Sequence, residues 1–422
     1  MTLTRRLAAG TLLSWIALFA AACATGGSAP TSFPASPAAG ASTAPARPAA
    51  VTRPLRVLVV GGGPTRMANQ VAIESNVRYV GRILPQASQY RVLFADGDPQ
   101  SPNVQYRADN RTLAYRAPHL PRQDGSADLA SVRAGLATIA EEARAHPQDD
   151  VFLYFTGHGS PDRRTLYADN WFDLWGNGRF TVSEFARSLT AFPGSTPITV
   201  VMVQCFSGAF GNVLFEGGSP AGALIEQRIA GFFAAVPERV SAGCTPAINE
   251  AEYKDFTGYF FAALTGQDRM GRPVAGADYD QDGRVGMHEA FAWTLIHDDS
   301  IDTPVCTSDA FLRRFVAMPD SEIAATSYAA VESWATPGQR AALSALSERL
   351  SLAGDDRLRG AFDRVTRIKP NSPVMSDVRL IRFVTLSRTI VRAHALGASN
   401  DDTLKRRYAD LLAVESRNPL VR

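Results

Sequence analysis

The sequence predicts an α/β protein with a largely parallel sheet covered by helices on both faces, followed by an all-helical segment. Between about residues 55 and 310, short β-branched or aromatic runs alternate with amphipathic stretches of helical length, which is the pattern of parallel strands joined by helices. Past that region the chain is rich in Ala, Leu, Arg, Glu and Ser with helical periodicity, and no strand-like run follows. An apolar content of 45% and a charged content of 20% are those of an ordinary globular protein.

Each element of the first part is predicted from its own local pattern. Apolar runs that are too short for a buried helix, and that close on glycine or a turn, are predicted as buried strands. The predicted strands are 55–60, 90–95, 151–156, 197–203 and 239–242. The predicted helices between and after them are 69–84, 129–145, 182–192, 222–233 and 253–264. Residues 311–422 are predicted to form about four or five further helices.

The N-terminal region is predicted to serve secretion. In residues 1–22, two arginines precede a short apolar stretch, which is the pattern of a signal peptide and too short for a membrane span. The following Ala20-Ala21-Ala22-Cys23 resembles a bacterial lipobox, which implies a lipid on Cys23 and a protein anchored in the cell envelope, at the outer membrane facing the periplasm or the exterior. Residues 23–54 are then a flexible Pro/Ala/Ser tether. The alternative is an ordinary signal peptide cleaved nearby, with Cys23 incidental.

Three cysteines lie in the folded region, at positions 205, 244 and 306. In an oxidising compartment we expect Cys244 and Cys306 to form a disulfide, which leaves Cys205 as the free thiol. The alternative is that all three are unpaired.

Two predicted strands carry reactive side chains at their ends. The run 151–156 is followed by Gly157-His158-Gly159, and the run 197–203 by Gln204-Cys205. The carboxyl ends of parallel strands meet at one edge of a sheet, so we expect His158 and Cys205 to lie close together. A thiol nucleophile needs a nearby base to form the thiolate, and an imidazole supplies one at neutral pH. The flanking Gly159 and Gly208 are expected to let the backbone approach a substrate closely.

These motifs are similar to those of the caspase-like cysteine peptidases, in which a strand with His-Gly precedes a strand ending in Cys. Residues 152–159 most resemble the legumain branch, which includes the catalytic subunit of the GPI transamidase. The resemblance covers 55–310 and implies a three-layer α/β/α sandwich with about six strands. It also implies His158 as base and leaving-group acid, Cys205 as nucleophile, and the amides of Gly159 and Cys205 as oxyanion donors.

The chain departs from the legumain pattern at two places. Legumains carry an aspartate before the histidine, where this chain has Gly157. Their loop after the first strand supplies an asparagine to the catalytic group and an Arg-His pair to the specificity pocket. The corresponding residues 66–70 hold no Arg-His pair, so cleavage after Asn or Asp is not predicted.

The predicted function is that of a cysteine endopeptidase acting through a thioester on a peptide or protein substrate. One alternative is a transpeptidase or ligase, in which an amine resolves the same thioester. Another is a non-catalytic binding or scaffold lipoprotein. The helical residues 311–422 could cap the site or bind a protein partner. A net charge of +2 gives no electrostatic case for nucleic acid as a partner.

Residues 278–289 match an EF-hand loop position by position, with aspartates at the first, third and fifth places and glycine at the sixth. Hard oxygen ligands at alternating positions suit calcium, and a helix is predicted to follow the loop. The expected ligands are Asp278, Asp280, Asp282, Arg284 through its carbonyl, and Glu289. The alternative is a solvated acidic turn that caps the helix.

Overall fold

The computed structural model describes residues 53–85, 88–109 and 111–420 of the chain. The predicted signal peptide, the lipobox with Cys23 and nearly all of the tether lie outside these residues. Among the described helices, none is both long and apolar enough to cross a membrane. The described part of the chain belongs to one compact unit.

The fold is built around a mostly parallel central sheet. The strands are β1 (Leu55–Gly62), β2 (Gln89–Phe94), β3 (Val104–Arg107), β4 (Leu113–Arg116), β5 (Asp150–Ser160), β6 (Trp171–Leu174), β7 (Gly178–Thr181), β8 (Pro197–Met202), β9 (Arg228–Phe233) and β10 (Val305–Cys306). Six of them follow the order β10-β9-β8-β5-β1-β2, in which only β10 is antiparallel to its neighbour. β6 and β7 extend the end of β5 as an antiparallel hairpin, while β3 and β4 form a separate one. The predicted parallel sheet of about six strands is confirmed.

Helices cover both faces of the sheet and then continue alone. They are α1 (Val71–Ile83), α2 (Leu129–Ala145), α3 (Val182–Leu189), α4 (Phe256–Thr265), α5 (Met287–His297), α6 (Thr307–Phe315), α7 (Asp320–Ala324), α8 (Tyr328–Trp334), α9 (Pro337–Arg349), α10 (Arg357–Val365), α11 (Met375–Ala398) and α12 (Asp402–Glu415). The predicted C-terminal helical segment is therefore confirmed.

The two faces of β5 show why its sequence is apolar without alternation. Leu153 and Phe155 pack into one core with α2 and α3, and Phe152 and Tyr154 pack into the other with α1 and α4. All four side chains are fully buried. A central parallel strand that is covered on both faces has a continuous apolar sequence, and this pattern is the basis on which β5 was predicted as a buried strand.

The prediction was wrong between residues 222 and 242. The expected helix 222–233 is instead a loop followed by strand β9, which pairs in parallel with β8. The expected strand 239–242 is irregular backbone, and the antiparallel β10 completes the sheet. Residues 229–233 are buried between the two helical layers, so that tertiary burial outweighs the weak local preference of an Ile-Ala-Gly-Phe-Phe run.

The C-terminal helices fall into two groups. Helices α7 to α11 form a core of their own together with the end of α5. Helices α6 and α12 contribute instead to the core of the sheet. Glu415 near the end of α12 is buried, and its carboxylate accepts hydrogen bonds from the Thr307 hydroxyl at 2.7 Å and the Ser308 amide at 2.8 Å. The last helix therefore closes onto the beginning of α6.

Candidate active site

The candidate site lies where the neighbouring strands β5 and β8 end. The strands are parallel partners up to the pair Phe155 and Met202, and the chain beyond them brings Gly159, the residue after His158, against the Cys205 backbone. A Cβ atom added to Gly159 would stand only 2.2 Å from the Cys205 carbonyl oxygen. The structure thus places the two predicted reactive residues at adjoining strand ends, with Gly159 between them.

The imidazole of His158 is oriented by the loop that follows β1. Its Nε2 lies 2.8 Å from the Ala68 carbonyl oxygen and 2.9 Å from Oε1 of Gln70. Both partners are carbonyl oxygens, which only accept hydrogen bonds, so Nε2 carries the proton of the neutral ring. The lone pair of the neutral imidazole is therefore on Nδ1, and Nδ1 is the atom able to act as a base.

The thiol of Cys205 is surrounded by a segment that we call the strap, residues 239–242. The Ser241 amide donates to the Cys205 sulfur at 3.3 Å, and the Ser241 hydroxyl lies 3.8 Å from the same sulfur. Directly after the cysteine, Phe206 adopts a φ of 61°, a left-handed turn that leads from the strand into a short 3-10 helix. This turn leaves the thiol at the end of the strand, facing the strap.

No hydrogen bond joins His158 and Cys205 within the described residues. Burial lowers the pKa of His158, although the charge of Asp173 and the hydrogen bond to Ala68 act in the opposite direction. Burial raises the pKa of the Cys205 thiol, opposed by the amide of Ser241. Both shifts favour the uncharged imidazole and the uncharged thiol in the absence of substrate.

Asp173 on β6 is a site residue that the sequence analysis missed. It pairs in register with His158, and its carboxylate accepts from the Ser160 hydroxyl and the Trp171 indole, each at 2.8 Å. Burial raises the pKa of Asp173, and the imidazole beside it opposes that shift. A carboxylate here stabilises the imidazolium that forms when His158 accepts a proton.

Gln70 and Ala68 were also missed, although the residues 66–70 had been singled out as the loop that supplies an asparagine in legumains. The amide side chain that reaches the histidine belongs to Gln70. Asn69 is fully buried, accepts from the Gly63 amide and donates to Asn103. A glutamine in this loop was a detectable signal, but a backbone carbonyl carries none.

The expected role of Gly208 is wrong. Its amide donates to the Ala235 carbonyl at 2.7 Å, and a Cβ atom there would stand 2.6 Å from the same oxygen. Gly208 is buried and lets the 3-10 helix pack against the segment after β9, so its amide is already used within the fold. The amides of Gly159 and Cys205 remain the expected oxyanion donors.

The predicted disulfide between Cys244 and Cys306 is not formed in the structure. Cys306 lies in β10 with its sulfur 3.0 Å from the Ser308 hydroxyl, and burial raises its thiol pKa far above the usual value. Cys244 donates to the Gly157 carbonyl at 3.4 Å, beside the end of β5. The two sulfurs therefore lie in different parts of the fold, that of Cys306 at the edge of the sheet and that of Cys244 near the candidate site.

The acidic loop 278–289 brings three of its predicted ligands together. Carboxylate oxygens of Asp278, Asp280 and Asp282 all lie within 4.8 Å of one another. Glu289 behaves differently, because its carboxylate accepts from the amides of Tyr279 at 2.8 Å and Gly286 at 2.9 Å, which ties the loop to the start of α5. No helix enters the loop, since the backbone from 266 to 286 is irregular. The three clustered aspartates fit a hard divalent cation.

No protein-family model matches the chain, and no curated protein matches it significantly. One similar solved structure is a protein from Geobacter sulfurreducens, at 14% identity, 60% of this chain, 92% of that chain and a TM-score of 0.36. A secreted C11 cysteine protease from Bacteroides thetaiotaomicron, solved with an irreversible peptide inhibitor, is 13% identical over 50% of this chain, at a TM-score of 0.28. The chain spans 53% of the length of that protease.

A further solved structure, a secreted C11 cysteine protease of the same organism called iotapain, is 8% identical. That match covers 65% of this chain and 74% of the other at a TM-score of 0.32. Likenesses at this level assign no role to any residue of this chain.

Proposed function

We propose that the protein is a cysteine endopeptidase in which His158 is the base and Cys205 the nucleophile. The observation that carries the proposal is the anchoring of His158. Two carbonyl oxygens hold its Nε2–H, so that Nδ1 is left to accept a proton at the strand end beside Cys205. A fixed tautomer whose Nδ1 carries the lone pair, next to a thiol at the neighbouring strand end, suits general base catalysis.

The chemistry follows from these atoms. Nδ1 of His158 takes the thiol proton while the sulfur of Cys205 bonds to the scissile carbonyl carbon, and the carbonyl electron pair moves to oxygen. The imidazolium then gives its proton to the amine nitrogen as the carbon–nitrogen bond breaks, which leaves a thioester. Water attacks this thioester with His158 again as base, releasing the acid and restoring the thiol. Because both groups are neutral at rest, the proton transfer accompanies the attack of the sulfur on the substrate carbonyl.

We further propose that the enzyme is a caspase-like peptidase. The support is the His-Gly and Cys motifs at the ends of two adjacent parallel strands and the resemblance of residues 152–159 to the legumain branch. The similar solved structures with printed activities are C11 cysteine proteases. The proposal therefore includes the nucleophile and base and leaves the preferred residue of the substrate open.

The test is labelling and turnover with the full chain. Wild-type protein is expected to react covalently with a thiol-directed peptide probe and to cleave a peptide library, and Cys205→Ala and His158→Ala are each expected to abolish both. His146→Ala, at the exposed end of α2, serves as the matched control that keeps activity. Full labelling of the Cys205→Ala protein, or full turnover by the His158→Ala protein, would refute the assignment.

We also propose that the loop 278–289 holds a calcium ion with a structural role. Asp278, Asp280 and Asp282 would supply carboxylate oxygens and Arg284 its carbonyl, as the sequence pattern predicts. Glu289, whose carboxylate ties the loop to the start of α5, is the predicted ligand at the twelfth position of the loop. Such an ion would stiffen the connection between α4 and α5 and takes no part in the thiol chemistry.

A further inference from the structure

The strap at residues 239–242 sets the environment of the nucleophile from one side. The Arg239 carbonyl accepts the amide of Phe206 at 2.8 Å, and the Ser241 hydroxyl donates to the Val203 carbonyl at 3.0 Å. Between these two contacts, the Ser241 amide points to the sulfur of Cys205. Burial and the negative charge of Asp302 raise the pKa of Cys205, whereas an N–H donor favours the thiolate over the thiol. The position of the strap therefore affects the ease of ionising Cys205.

The outer side of the strap is held by the C-terminal helical segment. The amide of Val240 donates to Oδ1 of Asn371 at 3.0 Å, and Nη2 of Arg239 donates to the Ser372 carbonyl at 2.7 Å. Asn371 and Ser372 lie in the connection between α10 and α11, more than a hundred residues further along the chain. The Arg239 side chain is buried, with only 6% of the residue exposed, so this contact is part of the packed structure.

A second connection reaches the strap through the loop after α5. The carboxylate of Asp302 accepts the amide of Ala242 at 2.6 Å and that of Phe256 at 2.8 Å. The backbone of this loop is held in turn by Arg382 of α11, whose Nε donates to the Asp302 carbonyl at 2.8 Å. The same guanidinium donates to the Ser300 carbonyl at 3.2 Å. Arg382 is among the largest fully buried side chains of the protein.

We propose that the helical segment containing α10 and α11 is a positioning component of the active site, with Asn371 and Arg382 as its positioning residues. The strap belongs to no strand, so its conformation is fixed by what binds its amides. Asn371 acts directly on Val240, and Arg382 acts through Asp302 on Ala242, one residue on either side of Ser241. Both connections direct the Ser241 amide toward the thiol. This inference rests on the proposed function of Cys205 as the nucleophile.

Asn371 offers a clean test, because its φ of 55° lies in the left-handed region that glycine adopts without strain. Asn371→Gly removes the acceptor for Val240 while keeping the backbone relaxed, and Asn371→Asp keeps an acceptor oxygen. Ser351→Gly is the matched control, since Ser351 belongs to the same helical segment and has a φ of 51°. Arg239→Met is a second variant, which removes the hydrogen bond from Arg239 to the Ser372 carbonyl.

The measurement is the rate of Cys205 alkylation by iodoacetamide against pH in the full chain, followed on the Cys205 peptide by mass spectrometry, together with kcat and KM. Asn371→Gly and Arg239→Met are expected to raise the apparent thiol pKa and to slow alkylation at neutral pH about fivefold, the effect of one net hydrogen bond. Turnover should fall through kcat with KM little changed. Asn371→Asp should recover most of the wild-type rate, and Ser351→Gly should match it.

Two outcomes separate this inference from the proposed function. If the wild type does not cleave the peptide library, or if His158→Ala cleaves it as fast as the wild type does, the proposed function fails. If the wild type is reactive but Asn371→Gly and Arg239→Met show the pH profile of Ser351→Gly, the positioning role is overturned and the proposed function stands. The melting temperatures of the variants are recorded alongside, and Asn371→Gly is expected to melt with Ser351→Gly.

Discussion

Replacing Gly159 with alanine, which adds one methyl group, is expected to lower both stability and activity. A Cβ atom there would meet the Cys205 carbonyl oxygen at 2.2 Å and the Cγ atom of Gln204 at 2.6 Å. Separations below 3.0 Å are essentially never seen for real Cβ atoms, and the first of these neighbours is backbone. Gly159→Ala therefore forces the ends of β5 and β8 apart by about 1 Å, since packed interiors have no free space to absorb the change.

The expected cost has two parts. Overpacking of this kind destabilises a protein by about 1–3 kcal/mol, which corresponds to a fall of a few degrees in melting temperature for a chain of this size. The same shift changes the distance between His158 and Cys205. A misplacement of about 1 Å between catalytic groups lowers turnover by about 100-fold. Activity should therefore fall much further than stability.

The assay is thermal unfolding together with probe labelling and peptide turnover. Gly360→Ala is the matched control, because Gly360 lies within α10 and no atom stands within 4 Å of its added Cβ. That variant should be slightly more stable than the wild type, by up to about 1 kcal/mol, since alanine favours a helix more than glycine does. A Gly159→Ala protein with unchanged melting temperature and turnover would show that the two strand ends are not in contact as described.

Two other predictions concern metal and pH. Calcium added to the full chain should raise the melting temperature by an amount equivalent to about 2.7 kcal/mol at 100 times Kd, and Asp280→Asn should abolish the increase; an unchanged wild-type melting temperature would exclude the site. Burial raises the pKa of Glu415 to about 7 from 4.5, so the stability that its neutral form contributes is present below pH 4.5 and is lost as the pH rises through 7. Between pH 5 and 8 the free energy of unfolding of the wild type should fall by roughly 3 kcal/mol more than that of Glu415→Gln, as measured by urea unfolding. Parallel pH curves for the two proteins would contradict this.

The fold was predictable wherever local sequence and burial agree. β5 and β8 are surrounded on both faces, so their residues are apolar in unbroken runs, and such runs are visible in the sequence alone. β9 was not recognised, because Gly231 interrupts its run and the residues before it are those of a loop. Glycine fits at position 231 because an added Cβ atom would stand 2.5 Å from the Phe233 ring and 3.0 Å from the Thr307 side chain, contacts that no local pattern reveals.

The residues of the candidate site were likewise predictable only in part. His158 and Cys205 were predicted because each stands at the end of a recognisable strand. Ser241 and Ala68 contribute a backbone amide and a backbone carbonyl, and every residue other than proline carries both, so the sequence contains no mark of them. Asp173 does have a distinctive side chain, but its relation to His158 depends on the register of β6 along β5, which the sequence leaves open.

The ion pair between Arg417 and Asp150 affects the order in which parts of the chain can fold. Asp150 is the first residue of β5, and its carboxylate is mostly buried. During synthesis or export from the N-terminus, the strand that carries the histidine emerges more than two hundred residues before its arginine partner. Until Arg417 arrives, Asp150 therefore has only the longer and more exposed ion pair with Arg53, at 3.9 Å. The protein should acquire its working form late, after nearly the whole chain has been synthesised.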